Sequence, residues 1–124
     1  MFVRDLDSVK TVEWGNGLSR RFIVAADGLD YSITDTTVRA GTKSRLEYRN
    51  HIESCYCIEG SGEVIELDGT SHPIVPGRLY SLNEHDAHYL VAGPHEDLRL
   101  VCVFSPALQG DEVHQLDEQV SSAY

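Results

Sequence analysis

The sequence predicts an all-β domain, a sandwich or a barrel. Three observations carry this expectation. About ten short runs rich in alternating or β-branched residues recur at a spacing of roughly 8–12 residues. Turn signals separate them: Asp27-Gly28, Ala40-Gly41-Thr42, Asp68-Gly69, Pro76-Gly77 and Gly93-Pro94. No stretch sustains the periodicity of a helix.

The elements follow in order. Phe2 to Leu6 alternates apolar and polar residues and reads as an edge strand, and residues 7–19, with Gly15, Asn16 and Gly17, read as a loop. Arg20 to Ala25 is strand-like and stops at Asp27-Gly28. Tyr31 to Val38 is dense in β-formers. Arg45 to Arg49 leads into Ile52–Ile58, where apolar and polar residues alternate before Gly60 and Gly62 supply a turn. Glu63 to Leu67 alternates and meets the hairpin dipeptide Asp68-Gly69. His72–Val75, Leu79–Leu82 and His88–Ala92 are short strands, the last two separated by the polar loop Asn83-Glu84-His85-Asp86. Leu98 to Phe104 is the most apolar run and so the expected central strand, ended by Pro106. Residues 107–124 are polar and are expected to form a lid or a loose tail.

With 124 residues the chain is expected to be a single domain spanning 1–124. Its 41% of hydrophobic residues excludes a disordered chain. No apolar run approaches the ~18 residues of a membrane span, and the start, Met1-Phe2-Val3-Arg4-Asp5, lacks the regions of a signal peptide. A formal net charge of −10 argues against nucleic acid or an anionic membrane as partner. Three cysteines, an odd number within apolar strands, point to reduced thiols and a cytoplasmic protein. Cys55, Cys57 and Cys102 read first as small core residues, and His72, His85 and His95 as surface loop residues.

Chemistry concentrates around Asn50–Gly62. In an extended strand Glu53, Cys55 and Cys57 share one face, and Ser54, Tyr56 and Ile58 the other. If the first face points inward, Glu53 is an enclosed carboxylate, which needs a cation, a metal or a proton. Tyr80, after Pro76-Gly77, and His88, after a polar loop, supply a phenol and an imidazole. Two hard oxygens with one nitrogen suit Fe(II), Mn(II) or Zn(II).

Glu53 followed by Gly60, then Pro76-Gly77 and His88, resembles the two motifs of the cupin superfamily, without the two histidines that usually precede the glutamate. Glu47 and Arg49 stand there instead. Five segments carry a narrower resemblance, to ectoine synthase: Tyr48–Glu53, Pro76–Leu82, His85–His88, Cys102–Pro106 and Gly110–His114. Val3-Arg4-Asp5-Leu6 and Asp35-Thr36-Thr37 add to it. The likeness runs through nearly the whole chain in order. It implies a cupin-type β-barrel or jelly roll of about ten short antiparallel strands, acting as a dimer through an edge strand. The implied reaction closes N-γ-acetyl-L-2,4-diaminobutyrate to the compatible solute ectoine by intramolecular condensation with loss of water. The resemblance further implies a metal, iron first, held by Glu53, Tyr80 and His88. Substrate contacts fall to Arg21, Thr36, Cys102 and Phe104, with Tyr48, His51, Glu112 and His114 as the groups nearest the chemistry. It departs at one point. The family carries a tryptophan shortly before the arginine matching Arg21, where this chain reads Gly17-Leu18-Ser19-Arg20; Trp14 is nearby but out of register. Two alternatives stay open: a related cupin cyclising or dehydrating another small amino-acid derivative, and a metal-free cupin binding module.

Overall fold

The structure, a computed structural model, describes residues 1–114. These form ten strands and one short 3-10 turn at Ala25–Asp27. The strands are β1 (Lys10–Glu13), β2 (Gly17–Ile23), β3 (Ser32–Val38), β4 (Lys43–Leu46), β5 (Ile52–Glu59), β6 (Gly62–Glu66), β7 (Ser71–Ile74), β8 (Leu79–Leu82), β9 (His88–Ala92) and β10 (Leu98–Ser105). They pair antiparallel in two sheets, one in the order β1-β2-β3-β10-β5-β8 and the other β4-β9-β6-β7. No helix among the described residues is long and apolar enough to cross a membrane.

The apolar run Leu98–Ser105 is central, paired with β3 on one side and β5 on the other. Its alternation is that of a strand with one face inside: Leu98, Leu100, Cys102 and Phe104 are buried, and Val103 is exposed. In β5 the same rule buries Glu53, Cys55 and Cys57 and exposes Tyr56. The core between the sheets joins these residues to Val38, Leu46, Val64, Ile74, Leu82 and Leu90. On the outer face, Asp35 ties three strands together. It accepts bonds from Arg20 of β2 at 2.6 Å and from Arg99 of β10 at 2.8 and 3.0 Å.

The N-terminal reading needs correction. Phe2 to Leu6 forms no strand, and β1 lies within the expected loop. Arg4 shows why. Its guanidinium is spent on Asp27, at 2.6 and 2.9 Å, and on the Phe22 carbonyl, at 2.6 Å, so the segment is held by side-chain bonds rather than a ladder. The hairpin signal read as a loop is the Gly15-Asn16-Gly17 turn. It joins β1 to β2, with Gly15 at a φ of 109° and the Trp14 amide donating to the Gly17 carbonyl.

Of the expected lid, residues 107–114 are described, and 115–124 lie outside the described residues. After β10 the chain turns back over β2 and the 3-10 turn. Leu108 is fully buried; its amide donates to Ser32 Oγ at 2.7 Å, and its carbonyl accepts from the Ala25 amide at 2.7 Å.

Candidate active site

Strand register lines up the chemistry in two neighbouring rows on the inner face of the six-stranded sheet. One row carries Arg21, Thr34, Cys102, Cys55 and Tyr80 across β2, β3, β10, β5 and β8. The next carries Ser32, Phe104, Glu53 and Leu82. Between the sheets a partly open cavity of about 30 Å³ is lined by Glu53, Cys55, Cys102, Tyr80, Thr36, Tyr48, Phe104, His114 and Trp14, among others. That is room for about one or two waters. A wider groove of about 770 Å³ lies beyond Tyr80, between the β6–β7 hairpin and β8, and is lined also by His88, Glu66 and Asp86.

Glu53 is 4% exposed. The groups that hold its carboxylate, the Cys55 and Cys102 thiols and the Tyr48 hydroxyl, are neutral. Burial outweighs them and pushes its pKa up to about 7. Burial also lifts the Tyr80 phenol well above its ordinary value. The Cys55 thiol is lifted likewise, by burial and then by the neighbouring Cys102. His88 is buried, and its Nδ1 donates to the Asp86 carbonyl at 2.9 Å. That bond fixes the tautomer and leaves Nε2 as a bare acceptor, buried and without a hydrogen-bond partner among the described residues. Burial lowers its pKa, so the ring stays neutral. The His88 ring lies 6.1 Å from Tyr48 and 6.4 Å from Tyr80, centre to centre.

The returning tail narrows the cavity. His114 Nε2 lies 3.5 Å from the Tyr48 hydroxyl, and its ring meets Trp14 and Tyr48 edge-on at 5.3 and 5.6 Å. Burial, then the positive charge of Arg21, lowers its pKa to about 3, so it is a neutral ring. Arg21 is 4% exposed; it donates to Ser19 Oγ at 3.1 Å and to the Glu112 carbonyl at 2.7 Å. The Glu112 carboxylate stands 3.6 Å from the same guanidinium and accepts from the Gln109 and Gly110 amides, both at 2.9 Å. Burial would raise its pKa, but these amides, with help from Arg21, outweigh burial and hold it low.

Of the residues singled out in the sequence, Glu53, Tyr80, Tyr48, Thr36, Cys102, Phe104 and His114 border one cavity. His88 lies behind Tyr80 and Tyr48, on the groove side. Arg21 and Glu112 pair with each other and do not line the cavity; Arg21 instead lines a separate pocket with Lys10, Val24 and Gln109. His51 does not line it either; its Nδ1 donates to the Pro106 carbonyl at 2.8 Å, against the edge of Phe104. His85 departs from the plain surface reading, because its Nδ1 donates to the Tyr48 carbonyl at 2.7 Å and braces that residue.

Two residues of the site escape a reading of the sequence alone. Cys55 reads as core filler, yet its thiol lies against Glu53 and Cys102; the inward face shared with Glu53 was the available signal. The tryptophan missing from Gly17–Arg20 has a counterpart in space. Trp14, 3% exposed, reaches the cavity from the β1–β2 turn and packs on His114. Gly17 makes this fit: a Cβ there would stand 3.0 Å from Trp14 Cζ2 and 1.8 Å from the Thr37 carbonyl oxygen. An absent side chain at 17 admits an indole from 14.

The ectoine synthase family profile matches residues 1–123. The L-ectoine synthase of Bordetella petrii is 43% identical over 112 residues, covering 90% of this chain and 81% of that protein. That of Oceanobacillus iheyensis is 43% identical over 125 residues, covering 94% of each. Among solved structures, the ectoine synthase from P. lautus superposes with a TM-score of 0.83 at 39% identity, over 89% of this chain and 81% of that one. A Cupin 2 conserved barrel domain protein from Salinispora arenicola superposes with a TM-score of 0.71 at 20% identity, covering 85% and 88% of the two chains; that likeness speaks for the fold alone.

Proposed function

The chain belongs to the ectoine synthase family, and from that premise we propose that it closes N-γ-acetyl-L-2,4-diaminobutyrate to ectoine with loss of water. The observation that carries this reading is the shared cavity. A buried carboxylate, a tyrosine–histidine pair and an aromatic wall converge on one water-poor space. Trp14 in that wall supports the same substrate.

The reaction consumes no net proton. The substrate's α-ammonium gives up two protons, the carbonyl oxygen leaves carrying both as water, and the product amidinium keeps the charge. The protein therefore needs a relay from nitrogen to oxygen. The Tyr48 hydroxyl and His114 Nε2 supply one: both are neutral, within 3.5 Å of each other, and each can give and take a proton. Glu53, at a pKa of about 7, is poised to exchange a proton in the same space. Arg21 binds the substrate carboxylate through its fork once Glu112 releases it. Folding the short substrate so that amine and carbonyl meet contributes up to roughly 7–11 kcal/mol in favourable cases. A cavity that excludes bulk water also opposes ring opening.

The donor set fits a metal. The bare, buried Nε2 of His88 and a buried carboxylate with only neutral partners are groups that a cation completes. Glu53, Tyr80 and His88 would hold it, with iron the first candidate and Zn(II) or Mn(II) the others, and the chemistry that such an ion supplies is Lewis-acid polarisation of the acetyl carbonyl. Reduced cysteines suit a cytoplasmic enzyme. The outer strands β1 and β8 leave a sheet edge for a second copy, with Leu79 of β8 exposed.

Turnover of N-γ-acetyl-L-2,4-diaminobutyrate by the purified protein, with and without Fe(II) under reducing conditions, tests the reading. Iron-dependent formation of the cyclic amidine is expected. Folded, iron-loaded protein that releases no cyclic product overturns it.

A further inference from the structure

Lys10 of β1 and Arg21 of β2 are partners in register, so their side chains leave one face of the sheet side by side. Like charges so placed repel, and adjacent cations are an exception on a chain whose formal net charge is −10. Glu112 answers Arg21. Among the described residues no carboxylate forms an ion pair with Lys10. The two cations line a pocket of about 370 Å³ with Val24, Gln109, Gly110 and Asp111. This pocket shares no lining residue with the inner chamber, yet Arg21 joins the two: its Nε donates to Ser19 Oγ at 3.1 Å, and Ser19 lines the chamber. Size separates them as well. The chamber, at about 30 Å³, has room for water alone, and the outer pocket exceeds the ~300 Å³ at which ligand sites usually begin.

We propose that this pocket is an outer binding site for a zwitterionic amino acid, which sets its carboxylate between Lys10 and Arg21 and its ammonium at Asp111. Two cations and one anion around one space match that charge pattern. Asp111 disfavours a ligand of two or more negative charges, because the second charge meets a carboxylate. Val24 gives an apolar wall for an uncharged arm. The identity of the ligand rests on the cyclase reading: the uncyclised substrate is such a zwitterion, with an acetamido arm. Arg21 is then the point of hand-over. A carboxylate arriving beside Lys10 competes for that guanidinium with the Glu112 carboxylate, 3.6 Å away, so loading the pocket loosens the tail's hold. The substrate is thus captured outside the chamber by residues that take no part in the ring closure.

Amide NMR of the full-length, metal-free protein reads the pocket residue by residue. Three probes dissect the ligand: N-γ-acetyl-L-2,4-diaminobutyrate, 4-acetamidobutanoate, which lacks the ammonium and has no amine to cyclise, and N-acetyl-1,3-diaminopropane, which lacks the carboxylate. The first two should move the amides of Lys10, Val24 and Gly110 in a saturable way, and the third should leave them in place. Lys10→Met should weaken both carboxylates about threefold, the weight of a partly exposed ion pair, and Lys10→Glu should abolish their binding. Asp111→Asn should weaken the zwitterion alone and leave 4-acetamidobutanoate bound at least as tightly. The same spectra show whether each variant keeps the fold. Shifts confined to chamber residues such as Thr36 and Cys102, Lys10→Glu binding as tightly as the unmodified protein, or inorganic phosphate moving the pocket amides as strongly as the zwitterion overturns the proposal. Failure here is separable from failure of the cyclase reading: cyclic product without these shifts keeps the function and removes the outer site, and these shifts without cyclic product do the reverse.

Discussion

Glu53 is the residue on which site and stability meet. Its pKa is raised from 4.5 to about 7 because burial disfavours the charged form. The sign follows. The stability contributed by the protonated carboxyl is complete below 4.5 and is lost as pH rises through about 7, a change of roughly 3 kcal/mol at full ionisation. His114 acts oppositely; its lowered pKa makes stability complete above 6.5 and lost as pH falls toward about 3. Denaturant unfolding of the metal-free protein between about pH 5 and about pH 8 separates the two. Glu53→Gln should remove the alkaline loss and leave the acid one, and an unchanged alkaline limb would refute the assignment. Glu53→Ala should lose bound metal and activity while keeping the fold, as metal analysis and circular dichroism would record. The inward direction of Glu53 was legible in the sequence because a strand's period of two is rigid. Its partners were less so. Cys55 carries no sign of function until register sets it opposite Cys102, and register between distant strands is a tertiary fact.

Among the elements, the β1–β2 turn and the returning tail decide the cavity's shape. A methyl group at Gly17 would meet the Thr37 carbonyl oxygen, a backbone atom that cannot rotate away. Gly17→Ala should therefore cost about 1–3 kcal/mol and move Trp14, seen as a lower melting temperature together with a shifted fluorescence of the single tryptophan. A normal spectrum would disconnect residue 17 from the wall. On the proposed reading, Arg21→Ala removes the substrate's carboxylate anchor as well as the tail's. KM should rise tenfold or more, the roughly 1.5–3 kcal/mol of a hydrogen bond to a charged group, and an unchanged KM would take Arg21 out of binding. Strands of strong alternation were readable: β8 and β9 coincide with the runs Leu79–Leu82 and His88–Ala92. The first strand was not. Phe2–Leu6 alternates well, but an ion pair between Arg4 and Asp27, 23 residues apart, decides its course, and Lys10–Glu13 is short and mostly exposed.

At the scale of the molecule, two sheets close around a cavity of about 30 Å³, far below the ~300 Å³ at which ligand pockets usually begin. The barrel and its inward face follow from patterning. The plug does not, because Gly110–His114 is a polar stretch whose docking depends on a guanidinium some 90 residues away. With Leu108 pinned and Glu112 on Arg21, the tail lies across the mouth of the chamber and narrows it. If the tail acts as a lid, each catalytic cycle begins and ends with it swinging clear, a motion that displaces solvent as well as breaking bonds. Tail opening, more than bond making, is then expected to set the pace. Added sucrose should slow kcat in proportion to viscosity, and Glu112→Ala, which unhooks the tail, should flatten that dependence. A kcat indifferent to viscosity in the unmodified protein would return control to the ring closure itself.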